Sequence, residues 1–266
     1  MNLEYLSTKY PHERDSHITF DEGPHIYTID GDSSFMSVTT WNHKHFKPFD
    51  SDGIINRMMS SKNWCNSKYF GQTKEEIKAM WSANGQQSSA AGTKMHYDIE
   101  CFYNNNAVEN DSVEFSYFMK FHSNIPDLKP YRTEWMIYDK ELKLAGSIDM
   151  IYENPDGTLD ICDWKRSKEI KKFNYWGNSA TTECIEHLPD VNYWHYTLQL
   201  NTYKYLLEKN YKKTIKSMYL VCLHPNNENK SYQRIEVEDL QKEVKDLFAL
   251  RRLMLKDKEL KNEISH

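Results

Sequence analysis

Leu142-Lys143-Leu144-Ala145-Gly146-Ser147-Ile148-Asp149-Met150-Ile151-Tyr152, the turn Asn154-Pro155-Asp156-Gly157, then Thr158-Leu159-Asp160-Ile161-Cys162-Asp163-Trp164: this run decides the fold. The two apolar stretches read as strands, and the Pro/Gly-rich turn joins them as a hairpin. Upstream, Arg132 to Tyr138 reads as another strand, closed by a turn at Asp139-Lys140-Glu141. Helical periodicity before it, from Ala90 to Tyr103, places Met95, Ile99 and Phe102 on one stripe. Downstream, Trp194 to Asn210 is the clearest helix, with Leu200, Tyr203 and Leu207 on one face. Ile215 to Leu223 and Gln233 to Val237 follow as strands, and Leu240 to Leu260 as a long amphipathic helix. The order is helix, three strands, helix, strand, which predicts a single α/β domain with an irregular N-terminal elaboration.

The elaboration is expected to span 1–89 and pack on a core of 90–266. Within it, His25 to Ile29 and Ser34 to Thr39 flank Asp30-Gly31-Asp32 and are expected to pair as a hairpin. Residues 50–83 read as helix in pieces, broken at Gly71, and Gly85 to Ser89 as a polar interruption.

The chain has 266 residues and a net charge of -5, so no global basic field draws it to nucleic acid. A local basic groove is still allowed, because a phosphate backbone is bound by a patch. Eighteen Tyr, 11 Phe and 7 Trp argue against wholesale disorder. No apolar run is long enough to span a bilayer, so no membrane is expected as partner. The start, Met1-Asn2-Leu3-Glu4, lacks the basic and apolar segments of a secretion signal. Five widely spaced cysteines predict free thiols in an intracellular, reducing compartment, whether cytoplasm, nucleus or viral factory.

Two carboxylates stand out. Asp149 interrupts an apolar run, and Asp163 follows Leu159 and Ile161 in alternation. A carboxylate in a buried strand is costly unless paired or metal-bound. Lys165 lies two residues past Asp163 and leaves the strand on the same face. Two carboxylates and a lysine suit metal-dependent phosphodiester hydrolysis. On these residues alone, solvated strand ends remain an equal reading.

The motifs in order resemble the PD-(D/E)xK nuclease superfamily, and within it the RecB-like exonucleases, over 90–224. Gly92-Thr93-x-x-His96-x-x-x-Glu100 resembles the first, helical motif. Glu134 matches an acidic position in the first strand, and Gly146-Ser147-Ile148-Asp149 resembles the Gly-x-x-Asp motif. Asp163-Trp164-Lys165 matches Asp-x-Lys, and Gln199 to Tyr203 matches Gln-x-x-x-Tyr.

The resemblance implies a restriction-endonuclease-like core. It implies His96, Asp149, Asp163 and the Trp164 carbonyl as ligands of Mg²⁺ or Mn²⁺, and Lys165 as the catalytic lysine. Glu134 would bind or position a metal or its water. Gln199 and Tyr203 would support the site or its DNA strand. It also implies a place in DNA repair or recombination, with any helicase or recombination protein supplied separately, since the chain has no Gly-x-x-x-x-Gly-Lys-Ser/Thr. Some relatives hold an iron–sulfur cluster on four cysteines. With no cysteine after Cys222 and no Cys-x-x-Cys, no such cluster is expected.

Arg166, Lys168, Lys171 and Lys172, interleaved with Phe173, Tyr175 and Trp176, are expected to meet the DNA. Aromatics among basic residues suit stacking on unpaired bases. The leading expectation is therefore a DNA exonuclease preferring single-stranded ends. A structure-specific or restriction-like endonuclease would use the same residues, and a catalytically inactive DNA-binding protein is the alternative outside enzymes.

Overall fold

The computed structural model describes residues 3–175 and 177–264. The chain opens with helix α1 (Tyr5–Lys9), strands β1 (Ile18–Asp21) and β2 (Ile26–Ile29), and a two-residue strand β3 (Met36–Ser37). Helices α2 (Val38–His43), α3 (Ser51–Met59), α4 (Lys74–Tyr103) and α5 (Val113–Ser123) follow. Then come β4 (Lys129–Asp139), β5 (Leu144–Glu153), β6 (Leu159–Lys165), α6 (Asn192–Asn210), β7 (Ile215–Cys222), β8 (Gln233–Glu236) and α7 (Gln241–Ile264). The expected core order, helix–three strands–helix–strand, is present. No described helix is long and apolar enough to cross a membrane.

The main sheet runs β3-β5-β6-β7-β8, and β4 lies along β5. β4, β5 and β6 are antiparallel neighbours, whereas β6 and β7 are parallel and joined by the crossover through α6. Helices cover both faces. Leu198, Leu206, Val244 and Phe248 pack with Trp135 and Ile161 on one side. Met95, Ile99, Phe118 and Phe121 pack with Met150, Cys162 and Trp164 on the other. That double cover explains why β5 and β6 read as nearly unbroken apolar runs.

Two N-terminal expectations are corrected. β2 pairs antiparallel with β1, not with Ser34–Thr39. Met36–Ser37 instead lies parallel to the start of β5, and the chain turns at once into α2, capped by the Ser37 hydroxyl. Ser37-Val38-Thr39 reads as strand because it is β-branched, but the cap wins. The expected interruption at Gly85–Ser89 is also absent. α4 is one helix of 30 residues, opened by a Thr73/Glu76 capping box. The division expected at 89/90 falls inside it. The break at Gly71 is real and sits at positive φ.

Candidate active site

The site lies where β5 and β6 part. Their ladder ends at Met150–Cys162, one residue short of Asp149 and Asp163. β3 occupies the same edge of β5 only at Leu144–Ala145. Residues 146–149 lie between these two pairings. Asp149 takes the place of a ladder partner: its Oδ2 accepts the Trp164 backbone N–H at 2.9 Å. The strict alternation of faces breaks here too. Ile148 and Ile151 join one core cluster, Met150 and Tyr152 the other. Beside Asp149, Glu134 of β4 holds a left-handed backbone (φ 41°), a conformation costing an ordinary side chain roughly 1–3 kcal/mol. Such strain in mid-strand marks a place where position outranks stability.

α4 delivers His96 to this fork. His96 Nε2–H donates to the Trp164 carbonyl at 3.0 Å, which fixes the ring. Nδ1 then faces Asp149 Oδ2 at 3.5 Å and Glu134 Oε1 at 3.8 Å. Ser147 Oγ donates to Glu134 Oε2 at 2.9 Å and holds that carboxylate in turn. Burial works to lower the His96 pKa, but Asp149 and Glu134 outweigh it and hold it up at about 9. Four residues along the helix, Glu100 is pushed up to about 7 by burial and by the charges of Glu134 and Glu22.

His96, Glu134 and Asp149 each offer a donor atom within 4.8 Å of the others. One imidazole and two carboxylates fit a hard or intermediate divalent cation. An imidazole that binds metal through one nitrogen commonly donates its other N–H to a carbonyl, as His96 does to Trp164. Asp163 lies outside that trio. It is 3% exposed, and its Oδ2 meets Lys165 Nζ at 2.6 Å. Burial pushes the Asp163 pKa up. Burial works the other way on Lys165, but Asp163 and Asp149 overcome it and raise it, so the lysine is held charged. The ring of Tyr196 lies 4.6 Å from Lys165 Nζ.

Gln199 and Tyr203 sit one turn apart on α6. Gln199 Nε2 donates to the Tyr203 hydroxyl at 3.1 Å and to Thr39 Oγ1 at 3.2 Å. Tyr203 is 3% exposed, and its ring fills the space above Gly146. A Cβ on Gly146 would lie 2.8 Å from Tyr203 Cε1, so only glycine fits. Tyr203 therefore packs directly on β5, and Gln199 holds the Tyr203 hydroxyl. The contribution of Thr39 was not legible in the sequence, because its partner is 160 positions away.

The basic loop after β6 is largely committed to carboxylates. Arg166 pairs with Glu114 at 2.7 Å, Lys171 with Glu169 at 3.3 Å and Lys172 with Glu238 at 3.6 Å. Among the described residues, Lys168 alone of the four has no ion-pair partner. Phe173 and Tyr175 are exposed, and Trp176 lies outside the described residues. Farther along the chain, His187 faces Glu243 at 3.4 Å and His195 faces Asp190 at 2.8 Å.

Residues 74–263, well over half the chain, match the PD-(D/E)XK nuclease superfamily. The chain belongs to that superfamily. A PD-(D/E)XK nuclease is a metal-dependent hydrolase of nucleic acid, and the fork just described is where this chain concentrates its donors. Thirteen solved chains are similar to this nuclease domain. One, "Crystal structure of SSO0001", is 15% identical, covers 96% of this chain and 86% of its own, and has a TM-score of 0.32. A likeness that distant adds nothing to the assignment. No curated protein matches the chain closely enough to count as a relative.

Proposed function

We propose that this PD-(D/E)XK nuclease is a Mg²⁺- or Mn²⁺-dependent DNA exonuclease of the RecB-like kind, acting at single-stranded ends. The observation that carries the reading is one juxtaposition. A trio of metal donors (His96, Glu134, Asp149) and a buried, charged Lys165–Asp163 pair stand at the same strand fork. The RecB-like reading draws support from Gln199 and Tyr203, which are hydrogen-bonded to each other and seated on Gly146.

His96 through Nδ1, Glu134 and Asp149 would hold the cation, with Asp163 and the Trp164 carbonyl beside them. When bound, a divalent cation supplies Lewis-acid polarisation of the phosphoryl oxygen and a more acidic water. The protein's own part is charge and position. Lys165, kept protonated by its two carboxylate neighbours, is a fixed donor for charge developing on the phosphoryl oxygens. Asp163 holds that ammonium in place from a dry strand. Ser147 fixes Glu134, and the Trp164 carbonyl fixes His96. Tyr203, held by Gln199, keeps β5 at its distance. The exposed Phe173 and Tyr175, on the loop that follows β6, offer rings to unpaired bases. The five cysteines are free thiols, in keeping with an intracellular, reducing compartment.

A time course on end-labelled linear DNA beside closed circles, in Mg²⁺, Mn²⁺, Ca²⁺ and chelator, tests this. Progressive shortening of linear strands in Mg²⁺ or Mn²⁺, with circles intact, is expected. Ca²⁺ should bind without turnover, being larger and more loosely coordinated. Prompt nicking of circles would replace the exonuclease by an endonuclease with the same residues. Cutting in excess chelator would remove the metal from the reading.

A further inference from the structure

The N-terminal half of α4 and the chain before it form a body apart from the core. Residues 47–81 bury Ile55 and Ile77 completely, yet neither joins any of the three core clusters. Lys74 and Lys78 both reach Asp52, at 2.7 and 3.0 Å, and tie α4 to α3. Trp81 Nε1–H donates to the Tyr69 hydroxyl at 2.8 Å. Among the described residues, no hydrogen bond or ion pair joins 47–81 to the core. The links are the chain at Phe46–Lys47 and the helix itself, whose residues 82–90 are all exposed.

This arm carries an unusual surface. Phe49 is 75% exposed and Phe70 58%. Phe49 lies 6.1 Å from Trp81, and Phe70 lies 6.1 Å from Trp64, centroid to centroid. Large aromatics left in water as a group mark a binding surface. Six basic residues (Lys47, Arg57, Lys62, Lys68, Lys74, Lys78) outnumber four acidic ones (Asp50, Asp52, Glu75, Glu76) across 47–81, a net +2. Between Asp52 and Glu75 there is no acidic residue, while Arg57, Lys62, Lys68 and Lys74 lie in that stretch. The chain as a whole is at -5, so the arm is a local positive exception. Lys62 and Lys68 are exposed, and Lys68 Nζ is 4.8 Å from the Tyr69 ring.

We propose that the arm is a second binding site for the substrate, an aromatic platform on which unpaired bases of single-stranded DNA stack while Lys62 and Lys68 meet the phosphates. The proposal rests on the nuclease reading above and extends it to a surface remote from the fork. Interleaved rings and ammonium groups are what unpaired nucleotides require, since every base has a face to stack and every linkage a charge. The geometry supplies the reach. Trp81 and His96 lie on one continuous helix, 15 residues apart, or roughly 22 Å along its axis. At a stacked rise of about 3.4 Å, about seven nucleotides cover that distance. A strand engaged at the fork therefore reaches the platform only when it is long enough.

The test is fluorescence anisotropy with labelled oligothymidylates of 4 and 15 nucleotides, in chelator so that nothing is cut. Phe49→Ala/Phe70→Ala should weaken binding of the 15-mer by about tenfold or more and should abolish its advantage over the 4-mer, which is too short to engage fork and platform at once. Lys62→Ala/Lys68→Ala should flatten the salt dependence of the 15-mer by roughly 0.7 per lost phosphate contact. All four side chains are exposed, and circular dichroism checks that each variant folds. Parent-like binding of the 15-mer by the aromatic variant overturns the proposal. So does sedimentation showing that the parent self-associates through these residues while DNA binding is unchanged in the variants. The two readings fail separately. If the parent cuts linear DNA but the variants bind normally, the platform falls. If the variants bind poorly but the parent cuts nothing in Mg²⁺ or Mn²⁺, the platform stands and the exonuclease reading falls.

Discussion

The two ends of α4 are built on opposite terms. At its C-terminal end Met95, Ile99 and Tyr103 sink into the core, and His96 is pinned between the Trp164 carbonyl and two carboxylates. At its N-terminal end the same helix packs only on α3 and a few aromatics, and its middle is bare. The buried end fixes charge: Asp163, Lys165 and Asp149 keep one arrangement because dry surroundings make every misplacement expensive. The exposed end fixes almost nothing beyond its own shape, and leaves rings and cations free to meet a partner. One element thus joins a site that must be rigid to a surface that must be open.

The buried end depends most on Lys165. Lys165→Met keeps the stem and removes the charge. Turnover should fall by a factor of about 10²–10³, as for the loss of one oxyanion donor. Because Asp163 would then be buried without its partner, stability should also fall, by about 3–5 kcal/mol in urea unfolding. Adding Asp163→Asn separates the two effects: stability should return and turnover should not. Normal turnover in a folded Lys165→Met chain would refute the role. No equivalent loss is expected from any single lysine of the arm.

A smaller effect tests the buttress. Gly146→Ala should cost about 1–3 kcal/mol, since its Cβ meets the Tyr203 ring and that ring is locked in the core. Turnover should drop with it, as β5 carries Asp149. An unchanged unfolding midpoint would show that the ring can give way.

The smallest effect concerns the loop after β6. Lys168→Ala should lower the salt slope of strand binding by roughly 0.7, and Lys171→Ala and Lys172→Ala should do the same, because exposed ion pairs yield easily to a phosphate. Arg166→Ala should leave the slope alone, since its guanidinium is committed to Glu114 in a partly buried pair. A full-sized change from Arg166→Ala would put that residue back among the phosphate contacts.

Much of the core was legible in the sequence. The strands around Asp149 and Asp163, α6 and α7 all appear close to where periodicity puts them, although α7, among its described residues, buries only Val244, Leu247 and Phe248 and leaves Leu253, Met254 and Leu260 exposed. The N-terminal pairing was not. An Asp-Gly turn invites a hairpin, but β2 found its partner upstream, and the tertiary edge of β5 claimed Met36 and Ser37. The continuity of α4 through Gly85 to Ser89 was also hidden. A bare helical segment has no apolar stripe to announce it.

The residue order supplied the chemistry: an imidazole, three carboxylates and a lysine, carried on elements whose order matches one core. Which of them meet follows from the folded arrangement. It set Glu134, beside His96 and Asp149, in the tightest trio and drew Asp163 toward Lys165. It tied Gln199 to Thr39 across the fold and left Phe49 and Phe70 in water. The physical reason is that local pattern reports which face of an element is apolar, whereas the meeting of side chains far apart in the chain depends on where ladders end and which charges can share a dry fork.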